Sequence, residues 1–367
     1  MKELLVQQLG LGLGATLVTW GLVAGLVRLA PRLGLLDRPN ERSSHTQVTP
    51  RGGGLGFVVM VAGAIGLLWA IGRDDVAFGL AGSELHRALP LFVGCAVLLA
   101  AVSLRDDFKS LGTGVRLLCQ LGVAIAAVAD IDAFHSLEIP GWGGVELEWT
   151  GPILTVVWVV GMTNVYNFMD GIDGIAGVQG VVAGLAWAVA GWSLASPAAA
   201  ELGLLLAGGC LGFLFLNWSP AKIFMGDVGS AFLGYSFAVL PLLALREKAG
   251  TSPVAGAGAV PVFAVLVVWP FVGDGFYTFL RRAWCREPVW LPHRSHLYQR
   301  LVRSGWPHAR VSSLYALWCV ACAGTGLFWL SASPRAQLTT VAVPAVSLVA
   351  MVFLVKHRER QPATHRG

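Results

Sequence analysis

Five short stretches of this 367-residue chain gather side chains able to do chemistry. The first runs Asp37-Arg-Pro-Asn-Glu-Arg42-Ser-Ser-His45 and on to Thr49-Pro-Arg-Gly-Gly-Gly54, and the second is Arg105-Asp106-Asp107-Phe-Lys109. The third is Asn164-Val-Tyr-Asn167-Phe-Met-Asp170-Gly-Ile-Asp173-Gly174, the fourth Phe224-Met-Gly-Asp227-Val-Gly-Ser230, and the fifth His293-Arg294-Ser-His296-Leu-Tyr-Gln-Arg300. Asp106 and Asp107 are adjacent carboxylates, and like charges this close need a cation or a shared proton. A solvated helix end with a surface ion pair to Arg105 or Lys109 is the simpler alternative. Asp74-Asp75 is the same dipeptide without a motif around it and reads as surface solvation. Asn164, Asn167, Asp170 and Asp173 recur every three residues, so on a helix they line one narrow face. Oxygen ligands of this kind suit Mg²⁺, which keeps waters and takes one or two carboxylates plus substrate phosphates. Asp227 lies between Gly226 and Gly229, where the backbone can approach closely, and could supply a second ligand.

The basic residues complement these acids. Gly52, Gly53 and Gly54 open an apolar segment, and backbone N–H groups at a helix start form an anion site; ordinary junction glycines are the alternative. His293, Arg294, His296 and Arg300 combine imidazoles and guanidiniums, a set suited to phosphate. Zinc is disfavoured there, because no cysteine or further acid stands at ligand spacing. The other histidines, His308 included, are expected to do no chemistry. Oxygen ligands for a hard cation beside cations for phosphates describe a site for phosphoryl transfer.

The elements that position these groups must be membrane spans. The chain is 55% hydrophobic and 13% charged, with a mean hydropathy of +0.67. A soluble protein carries about 25% charged residues, so the composition excludes a water-soluble enzyme and a disordered chain. Uncharged runs cover 4–27, 52–72, 88–104, 149–169, 174–200, 202–221, 228–245, 249–273, 311–334 and 336–355. Most approach the roughly 20 residues that cross the hydrocarbon. With 113–129 added, Arg116 sitting at its mouth, eleven spans are expected. The 26 Lys and Arg divide 20 to 6 between alternate connections. The richer set belongs in the cytoplasm, which puts the N-terminus outside and the C-terminus inside, with the polar stretches on the cytoplasmic face. The first apolar run is too long for a signal peptide and should remain as an anchor. Cys319-Val-Ala-Cys322 has redox spacing but falls inside a span with no charge beside it, so packing is the expected role. The expected architecture is an all-α polytopic membrane protein of one domain, 1–367, carrying a cytoplasmic His/Arg loop at 281–310.

In their order, Asp106-Asp107, Asn164-x-x-Asn-Phe-x-Asp-Gly-x-Asp-Gly174, Phe224-Met-Gly-Asp-x-Gly-Ser230 and His293-Arg-Ser-His resemble the polyprenyl-phosphate N-acetylhexosamine-1-phosphate transferases of the WecA and MraY kind, glycosyltransferase family 4. The resemblance covers residues of about 35 to 305. It implies that undecaprenyl phosphate attacks the β-phosphorus of a UDP-N-acetylaminosugar, releasing UMP, with Mg²⁺ required and Mn²⁺ able to replace it. Catalytic roles would then fall to Asp106, Asp107, Asp170, Asp173 and His296. The first two would orient or deprotonate the lipid phosphate, while Asp170 and Asp173 would shape the diphosphate site. Asn167 and Asp227 match the metal positions. Asn217 and Phe224 match the uridine positions, Arg116 a phosphate contact, and Gly52, Gly53, Asn164, His293, Arg294 and Arg300 complete the substrate contacts.

His-Arg-Ser-His replaces the three consecutive histidines of the MraY branch, so the chain looks closer to the O-antigen-initiating, WbpL-like branch. The same resemblance implies a bacterial inner-membrane enzyme among membrane lipid, with no nucleic-acid partner and a homodimer left open. A transporter is the rival reading; it would carry its acids near the bilayer midplane on broken helices. CDP-alcohol phosphotransferases also begin with Asp-Gly but then need Ala-Arg, and here Ile175-Ala176-Gly177 follows.

Overall fold

The computed structural model describes residues 2–39, 47–71, 85–109, 111–249, 257–288 and 293–361. Most of the first polar loop (40–46) and Asp74-Asp75 lie outside them. The helices are α1 (Lys2–Leu33), α2 (Gly54–Ile71), α3 (Leu85–Phe108), α4 (Thr113–Asp130), α5 (Thr150–Met169), α6 (Ile175–Ser193), α7 (Pro197–Asn217) and α8 (Asp227–Ala249). They continue as α9 (Ala259–Val267), α10 (Trp269–Trp284), α11 (Leu297–Arg303), α12 (His308–Ser331) and α13 (Pro334–Arg360). Two small antiparallel hairpins are the only sheets among these residues: β1 (Leu36–Asp37) with β2 (Thr49–Pro50), and β3 (Ser136–Ile139) with β4 (Gly143–Glu146).

Among the described residues nine helices are long and apolar enough to cross a bilayer: α1, α3 to α8, α12 and α13. The run expected as one span over 249–273 is instead a pair, α9 and α10, bent by 79°. Pro270, in the first turn of α10, has no N–H to continue α9's ladder. The bent pair makes at most a tenth crossing, and the apolar part of α2, Gly54–Leu67, is shorter than the other spans. Eleven apolar segments therefore do not translate into eleven straight helices. The expected loop 281–310 is helical in part, since α10 runs on to Trp284, and α11 and the start of α12 fall within it.

Contacts of Arg116 with Asp106, Asn167 and Asp227, and of Arg51 with Asp107, bring the polar stretches to one end of the bundle. The β3–β4 hairpin meets the start of α9 at the other end, where Glu138 N–H donates to Gly258 O at 2.9 Å. The most enclosed helix is α8, whose apolar window is wholly buried, whereas α1 and α13 leave most of theirs open to the surroundings. Large exposed side chains such as Leu9, Leu13, Val346 and Phe353 lie on those outer helices, where lipid would cover them.

Helix contacts rest on small residues, as expected where lipid already solvates large apolar side chains. At the α6–α7 seam a Cβ on Gly203 would meet Ala188 N and Gly184 O, both at 2.7 Å. Gly203→Leu should therefore lower the thermal stability of detergent-solubilised protein by more than about 2 kcal/mol. Gly63→Leu, at an exposed position where an added Cβ meets nothing within 4 Å, should change it little.

Candidate active site

Arg116 ties together two acids and an amide from three helices. In the first turn of α4, its Nη1 donates to Asp106 Oδ2 at the end of α3 at 2.8 Å. Its Nη2 lies 3.4 Å from Asp227 Oδ2 at the start of α8 and 3.4 Å from Asn167 Oδ1 in the last turn of α5. Asn167 turns its amide N–H to Ser230 Oγ at 2.9 Å, which orients its carbonyl oxygen toward the guanidinium. Asp106 also accepts Leu111 N–H at 2.5 Å, closing the α3–α4 turn.

Asp107 faces the other way, into the interior. Arg51 reaches its Oδ1 at 3.6 Å and donates to its backbone carbonyl. Its Oδ2 is buried and has no hydrogen-bond partner. Gly226, at φ +75°, sits beside that oxygen, and an added Cβ would lie 3.2 Å from it. Asp170 follows the end of α5. Burial, and then the carboxylates of Asp227, Asp107 and Asp173, push it up to about 8. An orphaned carboxylate oxygen and mutually repelling acids fit a bound cation. No three His, Cys, Asp or Glu side chains among the described residues converge on one point, and Mg²⁺ that relies on substrate phosphates does not require it.

The expected four-residue stripe does not survive intact. The helix stops at Met169, with Gly174 at φ +80° capping the start of α6. Asn164 and Asn167 share the helix, while Asp170 and Asp173 lie beyond it. Asn164 pairs with Gln120 of α4, donating to its Oε1 at 2.7 Å and to Val160 O at 2.8 Å, so it clamps α4 to α5. Asp173 is drawn away to α12. Its Oδ1 lies 3.3 Å from His308 Nδ1, its Oδ2 accepts Ala221 N–H at 3.2 Å, and its carbonyl accepts Ser312 Oγ–H at 2.6 Å. Burial acts to raise Asp173, but the hydrogen bond and charge of His308, with Ala221 and Ser219, outweigh it and hold the carboxyl below its usual value. His308, expected to do no chemistry, thus anchors the aspartate loop.

Asn217 is buried, accepting Gly174 N–H on Oδ1 and donating to Ile223 O, both at 2.9 Å. It braces the loops before α6 and α8 together. Phe224 is half-buried on the second of these loops, with its N–H donated to Pro50 O at 2.8 Å. Two of the three amides in the glycine run are taken within the protein. Gly53 and Gly54 N–H donate to Phe224 O and Met225 O, each at 2.9 Å. A Cβ on Gly54 would lie 2.3 Å from Gly229 Cα. The glycines, including Gly52 at φ +86°, let the starts of α2 and α8 cross in contact.

The His/Arg loop lies beside this cluster. Tyr298, in α11, donates its hydroxyl to Phe168 O at 3.0 Å, next to Asn167. His296 is buried with Nδ1 3.2 Å from Asp274 Oδ1. His293 Nδ1 is 2.9 Å from Ser295 Oγ, and Arg294 is half-buried between them. Arg300 points elsewhere: its Nε and Nη2 form a fork on Glu359 of α13, at 2.8 and 2.7 Å. It braces the loop from behind and is not presented to the acid cluster. Asp274 escaped the sequence reading, although it is the single charge between Lys248 and Arg281 and an ionisable residue inside an apolar segment is itself a functional signal.

An apolar groove of about 480 Å³ runs between α5 and α10. Val157, Phe168, Phe276 and Phe279 form outward-facing walls, each more than half exposed. Arg282, in the last turn of α10, His293 and His296 form its polar end, and the wall residue Phe168, whose carbonyl accepts the Tyr298 hydroxyl, neighbours Asn167 in the chain. The cysteines at 319 and 322 are buried and unpaired, and Cys319 Sγ donates to Gln179 Oε1 at 3.0 Å.

A family profile described as glycosyl transferase family 4 matches residues 89–245, the span that carries three of the five polar stretches and Arg116 itself. The chain is 33% identical over 283 residues to the protein of Bacillus subtilis named "probable undecaprenyl-phosphate N-acetylglucosaminyl 1-phosphate transferase", covering 77% of this chain and 73% of that one. It is 32% identical over 369 residues to the decaprenyl-phosphate N-acetylglucosaminephosphotransferase of Mycolicibacterium smegmatis, covering 94% and 88%. It is 30% identical over 285 residues to the phospho-N-acetylmuramoyl-pentapeptide-transferase of Latilactobacillus sakei, covering 75% and 82%. The chain belongs to glycosyl transferase family 4, as a multi-pass membrane phosphotransferase, and the transporter reading falls away.

His293 yields a direct test of the site's electrostatics. Burial disfavours its charged form, and His296, Arg282 and Arg281 beside it add to the shift, lowering it to about 4. The imidazole is therefore predominantly neutral above about pH 5, and would meet a phosphate as a hydrogen-bonding group without a charge. A histidine NMR titration should show no protonation of His293 between pH 8 and about pH 5; a midpoint near the ordinary value would refute this.

Proposed function

We propose that this chain transfers an N-acetylaminosugar-1-phosphate from a UDP-sugar to undecaprenyl phosphate, giving undecaprenyl-diphospho-sugar and UMP. The observation that carries the reading is the joining of two chemistries. A groove with exposed apolar walls is also lined by Arg282, His293 and His296, and its wall residue Phe168 is the chain neighbour of Asn167, which meets Arg116 beside Asp106 and Asp227. A prenyl chain suits the groove, and two phosphate groups meeting head to head suit its polar end.

In this mechanism an oxygen of the lipid phosphate forms the bond to the β-phosphorus while the bond from that phosphorus to the bridging oxygen breaks. The departing oxygen leaves with UMP. A phosphate dianion is already nucleophilic, so direct attack is favoured and Asp106 and Asp107 serve to orient. Arg116, poised between Asp106 and Asp227, moves its charge toward incoming phosphate. Asn167 and Asp227, with Asp107 and Asp170 close by, would hold Mg²⁺, which when bound neutralises charge building on the transferred phosphoryl group. Phe224 offers an aromatic face for the base, and Asn217 supports the loop that carries it.

The richer set of Lys and Arg lies at the site's end of the bundle, which favours the cytoplasmic face of a bacterial inner membrane. The relatives' names favour UDP-N-acetylglucosamine ahead of the 6-deoxy aminosugar donors. The step would initiate a cell-envelope polysaccharide.

Purified protein incubated with undecaprenyl phosphate, Mg²⁺ and a panel of UDP-N-acetylsugars should release UMP only when lipid, metal and one donor are all present. Asp227→Ala should lower kcat by roughly 10²-fold or more, and chelation should abolish turnover until Mg²⁺ is restored. Absence of UMP with every donor, under conditions where the Bacillus subtilis relative turns over, would reject the assignment.

A further inference from the structure

Asp274 is fully buried in α10, yet its carboxylate is surrounded by donors from three helices. Oδ1 accepts Leu297 N–H at 2.9 Å and Thr278 Oγ1–H at 3.1 Å, and lies 3.2 Å from His296 Nδ1. Oδ2 accepts Tyr315 OH at 2.6 Å and Tyr298 N–H at 3.3 Å. A purely scaffolding role for a buried acid would be filled as well by an apolar side chain of similar volume. Here one of the donors is an imidazole that lines the polar end of the groove, beside Arg282 and His293.

An ionised carboxylate can only accept, so the hydrogen between Asp274 and His296 sits on Nδ1. That leaves Nε2 as the nitrogen available to the groove. A lipid phosphate that arrives still carrying one hydrogen can give it to Nε2 and so become the dianion that attacks, whereas a ring with its hydrogen on Nε2 could not accept it. The same carboxylate holds the N–H of Tyr298, whose hydroxyl reaches Phe168 O at 3.0 Å, one residue from Asn167. A Cβ on Gly171 would lie 2.1 Å from that hydroxyl, so the contact is tight and the spacing between loop and acid cluster is set through it.

We infer that Asp274 is a positioning residue: it fixes the tautomer and placement of His296 so that Nε2 faces the acceptor phosphate at the groove's polar end. The inference rests on the transfer reaction proposed above. Asparagine at 274 would keep size and shape while removing the charge and one of the two acceptor oxygens that hold the hydrogen on Nδ1.

The test combines kinetics with a measurement that needs no turnover. Asp274→Asn should lower kcat by roughly 10²- to 10³-fold while the KM for UDP-sugar moves less than about threefold. In a His296→Ala background, the same change should cost less than about threefold, because the two residues act as a unit. An equal cost in both backgrounds would mean that Asp274 acts independently of His296 and would overturn the inference. Histidine ¹⁵N NMR of the full chain in detergent, without substrate, should show the His296 hydrogen on Nδ1 in the wild type and a weakened preference for Nδ1 in Asp274→Asn. A wild-type His296 with a bare Nδ1 overturns the inference even if the variant does not fold. If the spectra behave as expected but the wild type releases no UMP, the dyad stands as a structural fact and the transfer reaction is what has failed.

Discussion

Carboxylates gathered at the end of one helical bundle repel each other, and the arrangement holds because guanidinium groups stand among them. Arg116 touches α3, α5 and α8 through Asp106, Asn167 and Asp227, while Arg51 reaches Asp107 from the chain just ahead of α2. Each contact joins segments distant in sequence, so the electrostatics also settles which helix ends are neighbours. The compensation is incomplete. Asp107 retains a buried oxygen without a partner, and Asp170 is held above the ordinary carboxylate range. A site that is fully neutralised by its own arginines would have little use for an added cation; this one is left with a deficit.

Around this cluster the polar side chains divide into those that face it and those that brace it. Asn164, Asp173, Asn217 and Arg300 all belong to the second group. Their partners are Gln120, His308, Gly174 with Ile223, and Glu359. Such supporting contacts fix the rotamers of neighbouring groups that carry the chemistry, which is what precise placement of reacting atoms demands.

The division explains how far the sequence could be read. Charge-free runs and the density of polar motifs at their ends were enough to expect a helical membrane protein with one reactive end. Asp106, Asp107, Asn167, Asp170 and Asp227 were visible because acids and amides beside a bilayer are costly without a purpose. The bracing residues have the same composition, and only their partners distinguish them. Those partners stand 44 residues away for Asn164 and 59 for Arg300, beyond any local pattern. The glycine run was ambiguous for a related reason, since its amides meet the carbonyls of Phe224 and Met225 from another loop. The break before α10 depends on one proline in an otherwise continuous apolar run. Asp274 stands alone among apolar residues there, and an isolated ionisable group in such a segment is a functional signal that needs no partner in the sequence to be seen.

The 79° bend between α9 and α10 has a consequence for traffic. It swings α10 aside from the path of a straight span and leaves the groove against α5 open laterally. In the proposed reaction, a lipid could enter through that side opening by diffusing within the bilayer, without its chain ever meeting water. A nucleotide sugar would arrive from the aqueous end, over the polar loops. The two reactants would then use separate doors at right angles, so a crowded membrane would not obstruct the soluble donor and a flood of nucleotide would not obstruct the lipid.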